Sequence, residues 1–335
     1  MVGKIHIMGI VNLTPDSFYA GSRVQADVAL DRIQSMLEEG ADVVDLGACS
    51  TRPGSPQPSL EEEWQRLKPV LTEMARKNAT PCTQTALSVL GPAQNATPCT
   101  QTASSVLGPA KNATPCTQTA LSVLGPAKNA TPCTQTASSV LAPAISIDTY
   151  RAQIVERVYD TIGAFMVNDI SAGQMDAKML ETVGRLGLPY VAMHMRGTPE
   201  TMQSLTDYED VTRAVIDYFK EFTVKAEEAG IKEWILDPGF GFSKTLPQNY
   251  ELLERLDEVV TAFPERETLI GVSRKSMIYK KLGITPDEAM PATQVVQFAA
   301  LEKGATWLRV HDVAAAVNTA RLYSTIYTSS PGAAK

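Results

Sequence analysis

Short apolar runs and amphipathic stretches alternate along this chain, and the alternation limits its fold more than any other feature. The apolar runs are Lys4–Val11, Asp42–Leu46, Ala144–Ile147, Ala164–Val167, Pro189–Met193, Glu233–Leu236, Thr268–Val272 and Thr306–Val310. Each is followed by a stretch with apolar residues at helical spacing: Ala26–Glu39, Leu60–Arg76, one from Arg151, one from Asp176, Val211–Ala229, Asn249–Val260, one from Arg274 and one from Asp312. The second stretch opens on Ser59-Leu-Glu-Glu-Glu, an N-cap with an acidic first turn. Eight such pairs predict a parallel sheet covered by helices, most economically a closed (β/α)8 barrel. An open doubly wound sheet is the alternative, but no Gly-x-Gly-x-x-Gly follows the first run to support it.

One segment breaks the pattern. From Asn78 to Pro143 four near-identical units follow one another, and their cysteines, Cys82, Cys99, Cys116 and Cys133, stand 17 residues apart. Leu and Ser alternate at positions 87, 104, 121 and 138, so the higher-order period is 34, as a tandem duplication of coding sequence would leave it. Thr-Pro could open and Gly-Pro close a short helix in each unit. The alternation Thr83, Thr85, Leu87, Val89 equally fits a strand. One Cys per unit with no His nearby is a weak metal signal, and Asn-Ala-Thr lacks the secretory context a glycosylation site needs. Setting the 66 repeat residues aside leaves 269 of 335, close to the ~250 of one barrel. The expected organisation is one barrel from 1–77 and 144–330, a tandem-repeat insertion at 78–143, and a tail at 331–335. An insertion between the second helix and third strand would extend a loop on the N-terminal face, as a protruding segment or an interaction arm.

Composition narrows the function. With 30 Lys+Arg against 37 Asp+Glu and a net charge of −7, the chain offers no basic surface for nucleic acid. No window approaches 18 uninterrupted apolar residues, and Met1-Val-Gly-Lys-Ile-His has neither the apolar run nor the cleavage site of a signal peptide. A cytoplasmic protein is the expectation.

In a parallel barrel, chemistry collects where strands end. Those ends carry Asn12, the loop Ser50-Thr51-Arg52-Pro53-Gly54, Asp148, Asn168, His194, Asp237, Lys275 and Arg309-Val-His311. Singly, each reads as a helix cap or a solvated loop; all eight together argue for a shared site. His194 could serve site or packing equally, and Asp148 could instead cap the helix from Arg151. His6, within the first run, reads as a buried, satisfied histidine without a role.

The segments Met8–Phe18, Asp45–Gly54, Ser146–Tyr150, Val167–Ser171, Asp237-Pro-Gly-Phe-Gly-Phe242, Val272–Ser276 and Arg309-Val-His311 together resemble the motif series of the dihydropteroate synthase family, in the family's order. The resemblance implies a (β/α)8 barrel that joins 6-hydroxymethyl-7,8-dihydropterin pyrophosphate to p-aminobenzoate and releases pyrophosphate. A pterin edge presents an amino group beside a ring N–H, a donor pair that one carboxylate can accept. By resemblance Asp237 takes that edge, Asn168 and Asp148 complete the polar wall, Lys275 reaches the opposite edge, and Met193 packs on the ring unless it is simply core. Arg309 and His311 would meet the pyrophosphate with Thr51, and Asn12 would help hold Mg²⁺ on it. Asp148, Lys275, Arg309 and His311 are the implied catalytic set. Phe18, Thr51, Arg52, Pro53, Phe242 and Ser276 would surround the aminobenzoate. Attack by a neutral aromatic amine on an ionising pterin carbon needs no protein nucleophile, and a negative Asp148 would favour the developing cation. Cys49 departs from the commonest family pattern, where an acidic residue often stands. The family also implies a homodimer. A pterin-dependent methyltransferase of the same superfamily and a non-catalytic pterin-binding scaffold are the alternatives.

Overall fold

A computed structural model of the chain describes residues 3–13, 23–49, 57–79 and 144–328. Repeat residues 80–143, with Phe18, Thr51, Arg52, Pro53 and the tail from 329, lie outside the described residues.

Eight parallel strands follow one another around a barrel: β1 (His6–Asn12), β2 (Val43–Gly47), β3 (Ile145–Asp148), β4 (Met166–Asp169), β5 (Tyr190–Met193), β6 (Trp234–Asp237), β7 (Leu269–Ile270) and β8 (Trp307–Val310). The hydrogen-bonded order is β6-β5-β4-β3-β2-β1-β8-β7. β6 meets β7 through a single parallel bridge, Leu236 to Thr268, with Leu236 N–H donating to Glu267 C=O at 2.9 Å. The barrel is therefore nearly closed, and the alternative of an open sheet is set aside.

Helices α1 (Arg23–Glu38), α2 (Leu60–Ala79), α3 (Ala152–Ile162), α4 (Met179–Leu186), α5 (Val211–Glu228), α6 (Leu246–Glu254), α7 (Leu256–Ala262), α8 (Ser276–Leu282) and α9 (Met290–Glu302) lie between the strands in sequence, and α10 (Val313–Thr328) follows β8. At the start of α2, Ser59 Oγ accepts from Glu62 N–H while Glu62 accepts from Ser59 N–H, so the N-cap expected from the sequence is part of a capping box. Thr245 and Gln248 form the same reciprocal cap on α6. The stretch expected at Asn249–Val260 divides at Arg255, and the one from Arg274 divides at Gly283, whose φ of 67° ends α8. α2 runs to Ala79, three residues beyond the expected Arg76.

Alternate strand residues point inward. Met8, Val43, Val191, Ile235, Leu269 and Trp307, with Met166, pack as an apolar plug in the lower barrel. A larger apolar shell joins the outward faces of the strands to the helices. Above the plug the inward positions turn polar, and this change creates the site. Below it, half-buried His6 stacks on Trp307 at 4.4 Å, near Asp42 and Glu267, which corrects the expectation of full burial.

Candidate active site

Strand register places the polar residues. Asn12 pairs with Gly47, Gly47 with Asp148, and Asp148 with Asn168, so one row crosses β1 to β4 near their C-terminal ends. Gly47 keeps that row open: a Cβ there would stand 3.5 Å from Asn12 Oδ1 and 3.8 Å from Asp148 Oδ2. Asp45 lies one inward position lower on β2, wholly buried.

Arg309 on β8 ties these strands together. Its Nε donates to Asp45 Oδ2 at 2.7 Å and its Nη2 to Asp148 Oδ2 at 2.9 Å. Asn168 Nδ2 donates to the same Asp45 oxygen at 2.9 Å. Burial works against the Arg309 charge, but Asp45 and Asp148 outweigh it and hold the guanidinium protonated. Asp45 Oδ1 and Ser146 Oγ, on residues paired across β2 and β3, are buried without a hydrogen bond to the described residues.

Burial pushes the Asp148 carboxyl up to about 7; Arg309 pulls it down, and Asp45, Glu63 and Asp169 push it further up. A buried acid raised in this way stabilises the fold below its ordinary value near 3.8, and that stability is lost as pH rises from there through about 7. Asp148→Asn, which cannot ionise, should therefore melt above the parent at pH 8, by about 2–4 °C for each kcal/mol recovered. The advantage should shrink toward pH 5. Thermal melts at the two pH values test this, and a gain no larger at pH 8 than at pH 5 would contradict it.

On the other side of the mouth, Asp237 ends β6, and its Oδ1 accepts the Gly239 N–H at 2.8 Å. Burial raises its carboxyl above the usual range, while Lys275 opposes the rise. Lys275 stands just before α8, and its Nζ donates to Phe240 C=O at 2.5 Å and lies 4.6 Å from the Phe242 ring centroid. Burial brings its ammonium down to about 8, against the pull of Asp237. Met193 and Phe242 belong to an apolar cluster with Tyr150, Ile170, Met195 and Met202, drawn from β5 and from the segments after β3, β4, β5 and β6.

His311 follows β8, and its Nδ1 lies 3.1 Å from Ser273 Oγ, which also accepts its backbone N–H. The next residues bind the same two loops: Arg274 donates through Nε and Nη2 to Asp312. Arg274 takes a left-handed conformation, φ 54°, a strain that the ion pair and a bond to Thr293 Oγ1 hold in place. Ser276 opens α8 beside Lys275.

Of the residues singled out in the sequence, Arg309 bonds directly to Asp148 and is joined to Asn168 through Asp45, and Lys275 meets the loop that follows Asp237. Asn12 neighbours Asp148 across Gly47, and His311 and Ser276 stand on the adjoining loops. Asp148 does not cap α3, whose N-cap is Arg151. Sequence reasoning gave Asp45 no role, although a carboxylate inside the apolar run of β2 needs a buried partner. It also missed Glu63, read only as part of an acidic first turn. Glu63 is fully buried, accepts from Thr149 Oγ1 at 2.6 Å, and pairs with Arg151, which donates in turn to Pro58 C=O. Cys49 lies beside this pair, and burial pushes its thiol far up, so it is chemically quiet.

A parallel barrel whose strand ends send opposed charges into one mouth defines a barrel enzyme acting on a small polar ligand. The model of the pterin-binding enzyme family matches residues 8–84 and 122–311, and its gap falls inside the repeat. The chain belongs to that family. It is 32% identical over 320 residues to the dihydropteroate synthase of Escherichia coli K12, covering 95% of this chain and 90% of that one. The Haemophilus influenzae enzyme of the same name is 34% identical over 313 residues, covering 92% and 89%. Among solved structures, Yersinia pestis dihydropteroate synthase in a sulfonamide drug complex superposes with a TM-score of 0.71 at 29% identity, covering 98% and 96%. The Thermus thermophilus enzyme in complex with 4-aminobenzoate gives 0.68 at 28%, covering 98% and 96%.

Proposed function

We propose that this chain is a dihydropteroate synthase: it joins 6-hydroxymethyl-7,8-dihydropterin pyrophosphate to p-aminobenzoate, giving 7,8-dihydropteroate and pyrophosphate. The observation that carries the reading is the opposed pair of charged groups in the mouth, Asp237 with Lys275 on one side and Arg309 with Asp148 on the other, in a chain of this family. The Asp237 carboxylate accepts the amino and ring N–H donors of the pterin, and Asn168 and Asp148 line the polar wall. Lys275, charged at neutral pH, donates to the opposite edge, and Met193 packs against the ring face. Arg309, His311 and Thr51 hold the diphosphate. Its C–O bond breaks with the electron pair passing to oxygen, the amine nitrogen bonds to the same carbon, and the amine then loses a proton. Ionised Asp148 favours the positive charge that develops on the pterin. By the family resemblance Phe18, Thr51, Arg52, Pro53, Phe242 and Ser276 would serve the aminobenzoate.

The diphosphate calls for Mg²⁺, and Asn12 offers a hard, neutral oxygen beside the row that Gly47 keeps open. Among the described residues no group of three or more His, Cys, Asp or Glu could hold a metal. The donor set thus fits an ion that arrives with its phosphate ligands. When bound, the ion would supply positive charge to the leaving group, and Asn12 would help to hold it there.

A homodimer is part of the proposal, and an open apolar groove of about 310 Å³ between α6, α8 and α9, lined by Tyr250, Ile278, Leu282, Ala292, Val295 and Val296, offers a face for it; Leu282 and Val295 are exposed. Among the described residues no helix is long and apolar enough to cross a membrane, which suits the proposed cytoplasmic location. The repeat takes no part in catalysis. Replacing residues 80–143 by about five residues, typical of such connections, should leave both Michaelis constants nearly unchanged. A shortened protein that folds but loses aminobenzoate binding would place the insertion in the site's workings. The deciding experiment for the function is pyrophosphate release on mixing both substrates with Mg²⁺. Pterin binding without release would favour one of the alternatives, the methyltransferase if methyl transfer is found and the non-catalytic pterin-binding scaffold if it is not.

A further inference from the structure

Lys244 is a buried lysine that none of the roles above uses, 4% exposed in the loop after β6. An ammonium carries three N–H donors, and three acceptors surround this one: Gly239 C=O at 3.0 Å, Phe242 C=O at 3.1 Å and His194 Nδ1 at 2.9 Å. His194, deep in the protein at the end of β5, is kept neutral, first by burial and then by Lys244 and Arg196, so its ring nitrogen can accept.

The residues that Lys244 holds are those that aim the ring-binding pair. Gly239 donates its backbone N–H to Asp237 Oδ1, and its carbonyl, on the next peptide group, accepts from Lys244. The Phe240 carbonyl receives Lys275, and the Phe242 ring lies under the Lys275 ammonium while the Phe242 carbonyl takes Lys244. Gly239 sits at φ 72°, and a Cβ there would stand 2.0 Å from the His194 carbonyl, so the loop is pressed onto the end of β5 where no side chain fits.

We propose that Lys244 is a positioning residue of the site: from behind the loop Pro238–Ser243 it fixes the peptide groups that aim Asp237 and Lys275. The proposal rests on the pterin-binding reading given above. Lys244 also belongs to the electrostatics of the pair. The cations facing Asp237 are Lys275, Arg309 and Lys244; Lys244 itself faces Asp237, Lys275 and Arg196, with neutral His194 at its side. Burial brings the Lys244 ammonium down to about 7, so its charge is in balance near neutral pH.

The test is Lys244→Met, which keeps the stem and removes donors and charge, with binding followed by calorimetry using 6-hydroxymethylpterin and, separately, inorganic pyrophosphate with Mg²⁺. The pterin should bind about tenfold more weakly or worse, and pyrophosphate nearly as before. The acid limb of pterin binding should also move up by roughly half a pH unit or more, because Asp237 loses a cation that favours its ionised form. If the Met variant does not fold, Lys244→Gln keeps two donors without the charge and should show the same upward movement. Unchanged pterin binding, or equal losses for both ligands with the acid limb in place, would overturn the proposal. A parent protein that binds no pterin would overturn the underlying reading instead.

Discussion

Replacing Asp237 with alanine is expected to abolish measurable pterin binding while leaving the barrel folded. Asp237 ends β6, and one of its oxygens is already committed to the Gly239 N–H, which fixes the plane of the carboxylate toward the mouth. The ring's amino and N–H donors would meet a methyl group in the variant. Hydrogen bonds to a charged acceptor are worth ~1.5–3 kcal/mol each, so losing two should cost ~10²–10⁴ in affinity. Lys275 also loses the carboxylate that supports its charge against burial, so the opposite edge of the ring weakens as well. Asp237→Asn is the sharper comparison, since it keeps the shape but turns a donor toward a donor. Calorimetry with 6-hydroxymethylpterin on protein of unchanged circular dichroism measures both. An alanine variant that bound the pterin as tightly as the parent would remove Asp237 from the site.

The strand ends were legible because each strand is a short apolar run, with a polar residue near or just beyond its end that faces the barrel mouth. Asp148, Asn168, Asp237, Lys275 and Arg309 follow from that pattern and from the family resemblance together. The second layer was not legible, because it depends on pairs far apart in the chain. Arg309 bonds to Asp45 across 264 positions, Thr149 to Glu63 across 86, and Lys244 to His194 across 50. A periodic pattern shows that Glu63 belongs to a helix but not that its carboxylate is enclosed beside an arginine. The break between α8 and α9 did have a signal, Gly283 followed by Pro286, where a helix can end in a left-handed residue. The break at Arg255 has no Gly or Pro, and the apolar spacing runs through it.

Arg309→Ala is expected to have two consequences with different causes, and pH separates them. The first is catalytic: an oriented donor to a departing diphosphate is typically worth ~2.7–4 kcal/mol in the transition state, or roughly 10²–10³ in turnover. The second is structural. Asp45 is fully buried and Asp148 nearly so, and Arg309 is the cation that joins them. Breaking a buried pair by removing one partner costs about 3–5 kcal/mol, because the remaining charge stays enclosed. With Arg309 gone, the Asp148 carboxyl loses the cation that pulled it down and must rise further above about 7. A protonated acid needs no partner, so the stability loss should be large at pH 8 and smaller at pH 5. Arg309→Lys should recover part of the stability, since it restores a cation, yet recover little turnover, since an ammonium cannot reach Asp45 and Asp148 through a planar fork. At a pH where the alanine variant remains folded, it should bind inorganic pyrophosphate much more weakly and 6-hydroxymethylpterin only slightly more weakly than the parent. Equal losses for the two ligands in a variant that melts with the parent would mean that Arg309 serves the ring and not the leaving group.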